Sequence, residues 1–520
     1  MNKAQSAAAD ISALLRARNP LLWVVTREEA RAERYLFEAC ASAGFVARTW
    51  NVASGILEAD GKGIDGGRNL YTDPGEALNF IEAFPARGER SIWIMRDLHD
   101  WLDGLTRRAL RNLVRSLPTL PRDRAQAIIV LSPSADLPKE IAAHATVIDW
   151  PLPDREEIAS ILDVYLNQYG AEVAPNGTRD AAIDAAVGLS ASEAEACYAK
   201  SLVQTKRIDP TAIAKEKKRV IARERVLEWF DPIPGGLSAV GGLDGLKAWL
   251  KTRATAYGRQ AREYGLPAPK GVFLVGVPGC GKSLTAKAIA TAWGVPLLRM
   301  DLNGLKSKFV GESEGNLRRA LQTIEAIGRC VVWLDEIEKA LSGATQGAAD
   351  GGVSSDALGT ILNWMQERQG EAFVVATAND VESLPPELLR KGRFDEMFFV
   401  DTPNATERES VIRAALSSNG RGGIIDVIDA QSVALATEEY TGAEIAALVP
   451  EALYTAFADG AREITTTDLI AAARNVVPLT KTANAKIERL RAWAATRCRP
   501  ATDKPKAIAS VAPSLRAVEI

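Results

Sequence analysis

Histidine and cysteine are scarce in this 520-residue chain, which has two histidines, His99 and His144, and five cysteines, Cys40, Cys197, Cys280, Cys330 and Cys498. Two imidazoles are too few for a histidine-built metal centre. The cysteines are odd in number, scattered and without a C-x-x-C pair, which argues against a disulfide framework and a thiolate zinc site and fits a reducing cytoplasm. Long apolar runs are missing too, since none approaches the ~20 residues that a membrane-spanning helix needs. Only the short stretch Ile11–Leu15 follows Asp10, so no secretory leader is expected at the start of the chain. Nor is there a charge excess, with 63 Lys plus Arg set against 66 Asp plus Glu for a net charge of −3. Nucleic-acid coats and membrane-surface binders usually carry a strong basic surplus. What is present is 47% hydrophobic and 25% charged residues, the balance of globular domains, with length for about two to four of them.

Strands alternate with helices over residues 1–204. Leu21–Val25 is an apolar run, Glu28–Ala43 and Glu76–Phe84 read as helices, and Ser91–Met95 reads as a strand. Helical Trp101–Leu117 then precedes the buried-strand pattern Ala127–Leu131. This order predicts a parallel sheet with helical crossovers, continued by Ala-rich helix over Asp154–Leu202. Charges of both signs fill Lys206–Trp229, and Asp231-Pro-Ile-Pro-Gly-Gly236 follows. Residues 205–236 are therefore expected to be a solvated, charged helical linker. A second α/β unit spans 237–403 and helices occupy 404–478. Residues 479–520 hold an amphipathic helix (Ile487, Leu490, Trp493) and a proline-bearing flexible tail.

The second unit carries the chemistry. Gly276-Val-Pro278-Gly279-Cys280-Gly281-Lys282-Ser283 is a G-x-x-x-x-G-K-S sequence, with the strand Gly271–Val275 before it and a helix from Leu284 after it. Glycines let main-chain N–H groups wrap phosphates at a helix N-terminus. Lys282 is placed to reach the β/γ-phosphates and the Ser283 hydroxyl to coordinate Mg²⁺. Val331-Val-Trp-Leu-Asp335-Glu336 is an apolar strand ending in two acids, Asp335 for the Mg²⁺ shell and Glu336 to polarise the attacking water. Glu338, just beyond, reads as a solvated or helix-start acid. Phe373-Val-Val-Ala-Thr-Ala-Asn379 is a further apolar strand, ending in an amide that can orient water or the γ-phosphate. Leu388-Leu-Arg390-Lys-Gly-Arg393 sets two arginines around a glycine.

Together these segments resemble the AAA+ ATPases of the protein-remodelling branch, in that family's order, over about residues 237–476. The resemblance implies a P-loop AAA+ module, a parallel sheet with flanking helices plus a helical lid. It makes Asn379 a sensor, and Arg390 and Arg393 fingers that act on a neighbouring subunit's nucleotide in a homohexamer. Val240-Gly241-Gly242 is similar to the family segment that lies against adenine, and the segment from Gly442-Ala443 to the start of a lid helix. The family pattern extends the nucleotide contacts through Pro278, Gly279, Cys280, Gly281, Lys282, Ser283 and Leu284. Lys391 departs from it, standing where proline is usual. Closer still, Lys282–Ala290 and Arg390–Glu396 resemble the Ycf-type AAA ATPases, as do Asn19–Thr26 and Glu216–Ile221. That family is named from a hypothetical chloroplast reading frame.

The resemblance also makes Lys308-Phe309-Val310-Gly311 a pore loop, with Phe309 gripping polypeptide in a sequence-tolerant way and Val310 padding it. Residues 342–355 fall where a second pore loop would lie, or form a plain surface loop. The activity implied is Mg²⁺-dependent ATP hydrolysis that drives remodelling or threading of a protein. The alternatives are a nucleic-acid translocase, for which Lys306 and Lys308 count slightly, and a nucleotide-controlled scaffold. Nucleic acid is disfavoured by the near-neutral charge, because phosphate contacts dominate such binding. Residues 1–204 form a degenerate ATPase-like α/β domain that recruits a protein substrate or adaptor. Where a phosphate loop should follow its first strand the chain reads Thr26-Arg-Glu-Glu-Ala-Arg-Ala-Glu33, with acids and no glycine. The glycine-rich Gly61–Gly67 lacks the flanking strand and helix. Cys280, near Lys282 and a helix N-terminus, is either a reactive thiol or a small filler.

Overall fold

The computed structural model describes residues 2–502 apart from 68, 136, 176, 223–225, 303–309, 340–352, 369, 383 and 391. The chain divides into two compact units, one of Met1–Arg223 with Arg318–Ile327 and one of Glu224–Leu317 with Gly328–Ile520.

The first unit is built on strands β1 (Leu21–Val25), β2 (Val46–Asn51), β3 (Gly55–Leu57), β4 (Ser91–Arg96), β5 (Gln126–Ser132) and β6 (Ala145–Asp149), in the order β3-β2-β4-β5-β1-β6. All pairings are parallel except β2 with β3. The middle strands are apolar from end to end because both faces are covered, as parallel sheets require. One face packs on α1 (Lys3–Arg16) and α2 (Glu29–Ser42), burying Ile11, Leu36, Ile92 and Ile129. The other packs on α3 (Pro74–Ala83) and α4 (Gly104–Ser116), burying Leu78, Ile81, Leu110 and Leu113. Two fully buried tryptophans keep their N–H groups paired: Trp23 donates to Ser134 O at 3.0 Å and Trp93 to Gln126 Oε1 at 3.0 Å.

Four helices follow β6: α5 (Arg155–Gln168), α6 (Arg179–Ala186), α7 (Ala191–Thr205) and α8 (Pro210–Ile221). The last of these corrects an expectation. Residues 205–236 are not a solvated linker, because Ile213, Lys217 and Ile221 of α8 are buried and Ile208 and Ile213 belong to the same apolar cluster as Ile158, Leu162 and Tyr198. The interleaved charges masked one apolar stripe. Lys217 is buried because its ammonium donates to Val187 O at 2.5 Å.

The second unit has strands β7 (Leu227–Phe230), β8 (Gly271–Gly276), β9 (Leu297–Met300), β10 (Val331–Leu334), β11 (Phe373–Ala378), β12 (Glu396–Val400) and β13 (Arg499–Pro500), in the order β13-β12-β8-β11-β10-β9-β7. Part of the expected linker is thus the edge strand β7, antiparallel to β9. The expected flexible tail also begins inside the fold, since β13 pairs with β12 and Ala501 is buried. Residues 503–520 lie outside the described residues. Helices α9 (Asp244–Ala254), α10 (Lys282–Trp293), the first part of α11 (Val310–Ile327, of which Arg318–Ile327 group with the first unit), α12 (Val353–Glu367) and, after the lid, α17 (Asn484–Ala494) complete this part. The lid is α13 (Ala405–Ser418), α14 (Ala430–Ala436), α15 (Gly442–Ala458) and α16 (Thr466–Arg474) around Ile412, Leu416, Val433 and Leu448.

Phe373 is fully buried and its ring meets Trp293 edge-on at 4.7 Å. Phe373→Ala is expected to cost the second unit about 3–5 kcal/mol in denaturant unfolding. Val427→Ala, at an exposed position, should stay within about 0.5 kcal/mol.

Candidate functional site

Parallel register delivers the site residues to the carboxyl ends of the second sheet's central strands. Strand β8 runs between β11 and β12, pairing Val275 with Ala378 and Gly276 with Val400. Glycine is required where β8 ends, because a Cβ at Gly276 would lie 2.0 Å from Val400 O. The loop then turns into α10 through Gly281 at φ 89°, a left-handed value that L side chains rarely adopt. Pro278 and Gly279 are exposed, Leu284 is 40% exposed, and Ser283 is half-buried.

Lys282 is buried and donates to Gly276 O and Val277 O, both at 2.8 Å. Burial lowers its ammonium pKa to about 8, with Cys280 and the acids Glu338, Asp335 and Glu336 pulling the other way. A buried cation solvated by loop carbonyls, beside exposed glycine amides, suits a polyanion. Cys280 is filler and not a reactive thiol: burial outweighs the neighbouring Lys282 and pushes the sulfhydryl up to about 12.

Asp335 follows β10, and its Oδ1 accepts from Ser283 Oγ at 3.0 Å and from Thr377 Oγ1 at 2.8 Å. Thr377 Oγ1 also accepts the Glu336 N–H at 2.9 Å. Glu336 sits at φ 47°, a strained conformation for a side-chain-bearing residue of the kind that clusters at functional sites. One of its carboxylate oxygens accepts from Asn379 Nδ2 at 2.9 Å and the other pairs with Lys339. The carboxylates, the amide and the serine thus meet as the motifs imply. Ser283 and Asp335 offer hard oxygen donors on one side, where Mg²⁺ would fit.

Two residues escaped the sequence reading. Thr377 is a buried polar residue inside an apolar strand, and that incongruity was its only signal. Glu338 is not solvated: it is 5% exposed, accepts the Asn379 N–H at 3.0 Å, and leaves Oε2 buried without a hydrogen bond. Burial raises its carboxyl pKa. It therefore holds the strand end from which Asn379 reaches Glu336.

The lid closes on the loop where Ala443 N–H donates to Gly279 O at 2.8 Å, with Thr441 and Glu444 forming the helix cap. Val240 is buried, its side chain about 4 Å from a Cβ placed at Gly281. Next to it, a Cβ at Gly241 would lie 2.6 Å from Val411 in the lid, and Leu243 N–H donates to Glu407 at 2.8 Å. The arginines differ in setting. Arg390 is exposed, with Glu387 3.9 Å away, whereas Arg393 is buried and donates to Glu387 O. Burial, with Arg390 nearby, lowers the Arg393 pKa. Phe309 lies outside the described residues, and of Val310 only its place as first residue of α11 is described.

Because Glu338 acts through Asn379, Glu338→Ala is expected to lower the ATP turnover rate about tenfold or more with nucleotide affinity within about threefold. Glu338→Gln keeps an acceptor for the Asn379 N–H and should recover most of that loss, as steady-state kinetics would read.

Comparison with known proteins agrees with this geometry. Residues 272–402 match the ATPase family associated with various cellular activities (AAA). Residues 7–150 match the N-terminal domain, and 156–224 the second domain, of SpoVK-like AAA ATPases. An uncharacterized AAA domain-containing protein, ycf46, of Guillardia theta is 36% identical over 492 residues, 93% of this chain and 94% of that protein. The ycf46 protein of Pyropia yezoensis is 36% identical over 499 residues, 93% of this chain and 97% of its own length. The ATP-dependent zinc metalloprotease FtsH of Bacillus subtilis is 31% identical over 225 residues, 42% of this chain and 34% of that protein. A strand-end site of lysine, paired acids and amide, in a chain alike to the two ycf46 proteins over nearly its whole length, belongs to an ATP-binding AAA ATPase of the ycf46 family.

Proposed function

We propose that the chain hydrolyses ATP with Mg²⁺ inside a homohexameric ring and uses the cycle to remodel or thread a protein substrate. The observation that carries the reading is the placement of Glu336, held at a positive φ and oriented by Asn379. A carboxylate so fixed at a strand end can take a proton from water attacking in line with the γ-phosphate. Main-chain N–H groups of Gly279–Lys282 bind the phosphates, and Lys282 turns from its carbonyl partners to the β/γ-oxygens. Ser283 and Asp335 would hold Mg²⁺, which when bound neutralises charge building on those oxygens. Val240 and Gly241 border the base, and Ala443 ties the lid to the loop.

Arg390 is exposed and so is the better placed of the two arginines to reach a neighbouring subunit's phosphates, with Arg393 bracing the turn beneath it. The trans role rests on that exposure and on the family resemblance. Residues 1–204 serve recruitment of substrate or adaptor. Among the described residues no helix is long and apolar enough to cross a membrane, and the proposed place of work is the cytoplasm.

Lys282→Ala should abolish nucleotide binding, and Glu336→Gln should bind ATP without turnover. Arg390→Ala should lose about 10³-fold in turnover, the scale of an arginine finger. Mixing Arg390→Ala with Glu336→Gln subunits should restore part of the activity, since one of the two orders of mixed interface pairs an intact base with an intact arginine. Mixtures as inactive as their components would refute action in trans. Phe309→Ala should keep ATPase activity and lose remodelling. ATPase stimulation by nucleic acid with steep salt dependence would favour a nucleic-acid translocase instead.

A further inference from the structure

The two units repeat one architecture. Five parallel strands follow the same spatial order in both, β2-β4-β5-β1-β6 in the first and β9-β10-β11-β8-β12 in the second. Four helices then follow the last strand, α5–α8 and α13–α16. Their third helices start alike, with Ser190 and Glu193 forming a capping box on α7 as Thr441 and Glu444 do on α15.

Register aligns the two sites. Val25 pairs with Ser132 as Val275 pairs with Ala378. Arg96 lies opposite Leu131, one residue before Ser132, and Asp335, next after the Leu334–Ala376 pair, falls beside Thr377, one residue before Ala378. Arg96 therefore stands where Asp335 does. The residues that follow confirm the frame, because Asp97 has φ 52° and Glu336 has φ 47°. The frame carries through the first loop, because as many residues separate Val25 from Ala47 as Val275 from Leu297, and Ala47 and Leu297 pair with the aligned Ile92 and Val331; Ala32 therefore stands where Lys282 does, and Glu33 where Ser283 does. A cation thus replaces Asp335, alanine replaces Lys282 and an acid replaces Ser283, and the altered pair meets, with Arg96 Nε 2.5 Å from Glu33 (and 3.3 Å from Glu29) where Asp335 accepts from Ser283 at 3.0 Å. The loop is shortened as well. Thr26–Glu28 is all that joins Val25 to α2, whereas Gly276–Gly281 joins Val275 to α10.

Glu28 then makes the contact that a loop carbonyl makes in the second unit. Its Oε1 accepts the N–H of Ala191 at the start of α7 at 2.5 Å, as Gly279 O accepts that of Ala443. Glu28 Oε2 pairs with Arg31 at 2.7 Å. Arg31 reaches onward to Glu157 of α5 at 2.8 Å and to Pro151 O at 2.8 Å, and Tyr35 donates to Glu157 at 2.7 Å. Glu28, Arg31 and Glu157 are nearly buried, where removing one partner from such a network is strongly destabilising. The adjoining cleft of about 1150 Å³ is lined by Glu29, Glu156 and Glu195 as well as Arg27 and Arg34, a mixed field with no phosphate preference.

We propose that the first unit is a self-liganded module, in which the Glu28–Arg31–Glu157 network holds helices 155–205 on the sheet in the place where the second unit admits a nucleotide. Its closure is thus constant through the ATPase cycle. The inference rests on reading residues 1–204 as free of nucleotide, and the two readouts that follow separate the claims.

Calorimetry of the full chain with ATP and Mg²⁺ should give one equivalent bound per chain and none for Lys282→Ala. A second equivalent, or binding retained in Lys282→Ala, would overturn the nucleotide-free reading and the lock with it. In hydrogen exchange, ATP should slow exchange in 442–458 and leave 191–205 unchanged, a comparison that needs no variant. Glu28→Ala should raise exchange in 191–205 about tenfold or more, while Glu28→Gln, which keeps an acceptor for the Ala191 N–H, should stay within about threefold. Nucleotide-dependent protection of 191–205, or an unchanged rate in Glu28→Ala, would overturn the lock while leaving the one-site stoichiometry standing.

Discussion

A single carboxylate joins the separate parts of the second unit's centre. Asp335 ends a strand that is buried on both faces, and its Oδ1 is shared by hydroxyls of Ser283 and Thr377, which come from a helix start and from a neighbouring strand. Hydrogen bonds to a charged group are worth about 1.5–3 kcal/mol each, enough to fix three elements against one another. Thr377 passes that order on to Glu336 through its backbone N–H, and Asn379 completes it through the side chain. The chemistry therefore depends on sheet register more than on any one side chain, because a slip of one residue would turn each group to the opposite face.

The same sheet serves two different ends in this chain. In the second unit the loop after β8 is long and glycine-rich, and the lid touches it through a backbone contact. In the first unit the loop is short, carries Glu28, and meets α7 through that side chain. A cation in place of Asp335 and an acid in place of Ser283, with no charged counterpart of Lys282, turn a site that attracts phosphate into an internal ion-pair network. The fold tolerates both because the strands and helices around them are held by apolar burial, which is indifferent to what the loops carry.

Much was legible in advance because it was local. The alternation of apolar strands with helices marks both sheets, and the glycine spacing before Lys282 marks the phosphate loop, since only main-chain geometry is needed to read it. The acids after Val331–Leu334 were legible for the same reason. Less local features were misread. Mixed charge over Lys206–Trp229 hid the buried stripe Ile213, Lys217 and Ile221, whose burial depends on partners elsewhere in the unit. Arg499 and Pro500 showed no period, and only pairing with β12 makes them a strand.

Sequence alone determined the fold class and the residue types at the site, because periodicity and turn chemistry are written along the chain. Tertiary structure decided which of those residues act together. It buried Glu338 behind Asn379, put Thr377 between Asp335 and Glu336, and tied Arg393 back while leaving Arg390 in solvent. It also showed Arg96 and Glu33 to be counterparts of Asp335 and Ser283, with Ala32 where Lys282 stands. Such relations depend on strand order and register between segments far apart in the chain, and no local pattern encodes them.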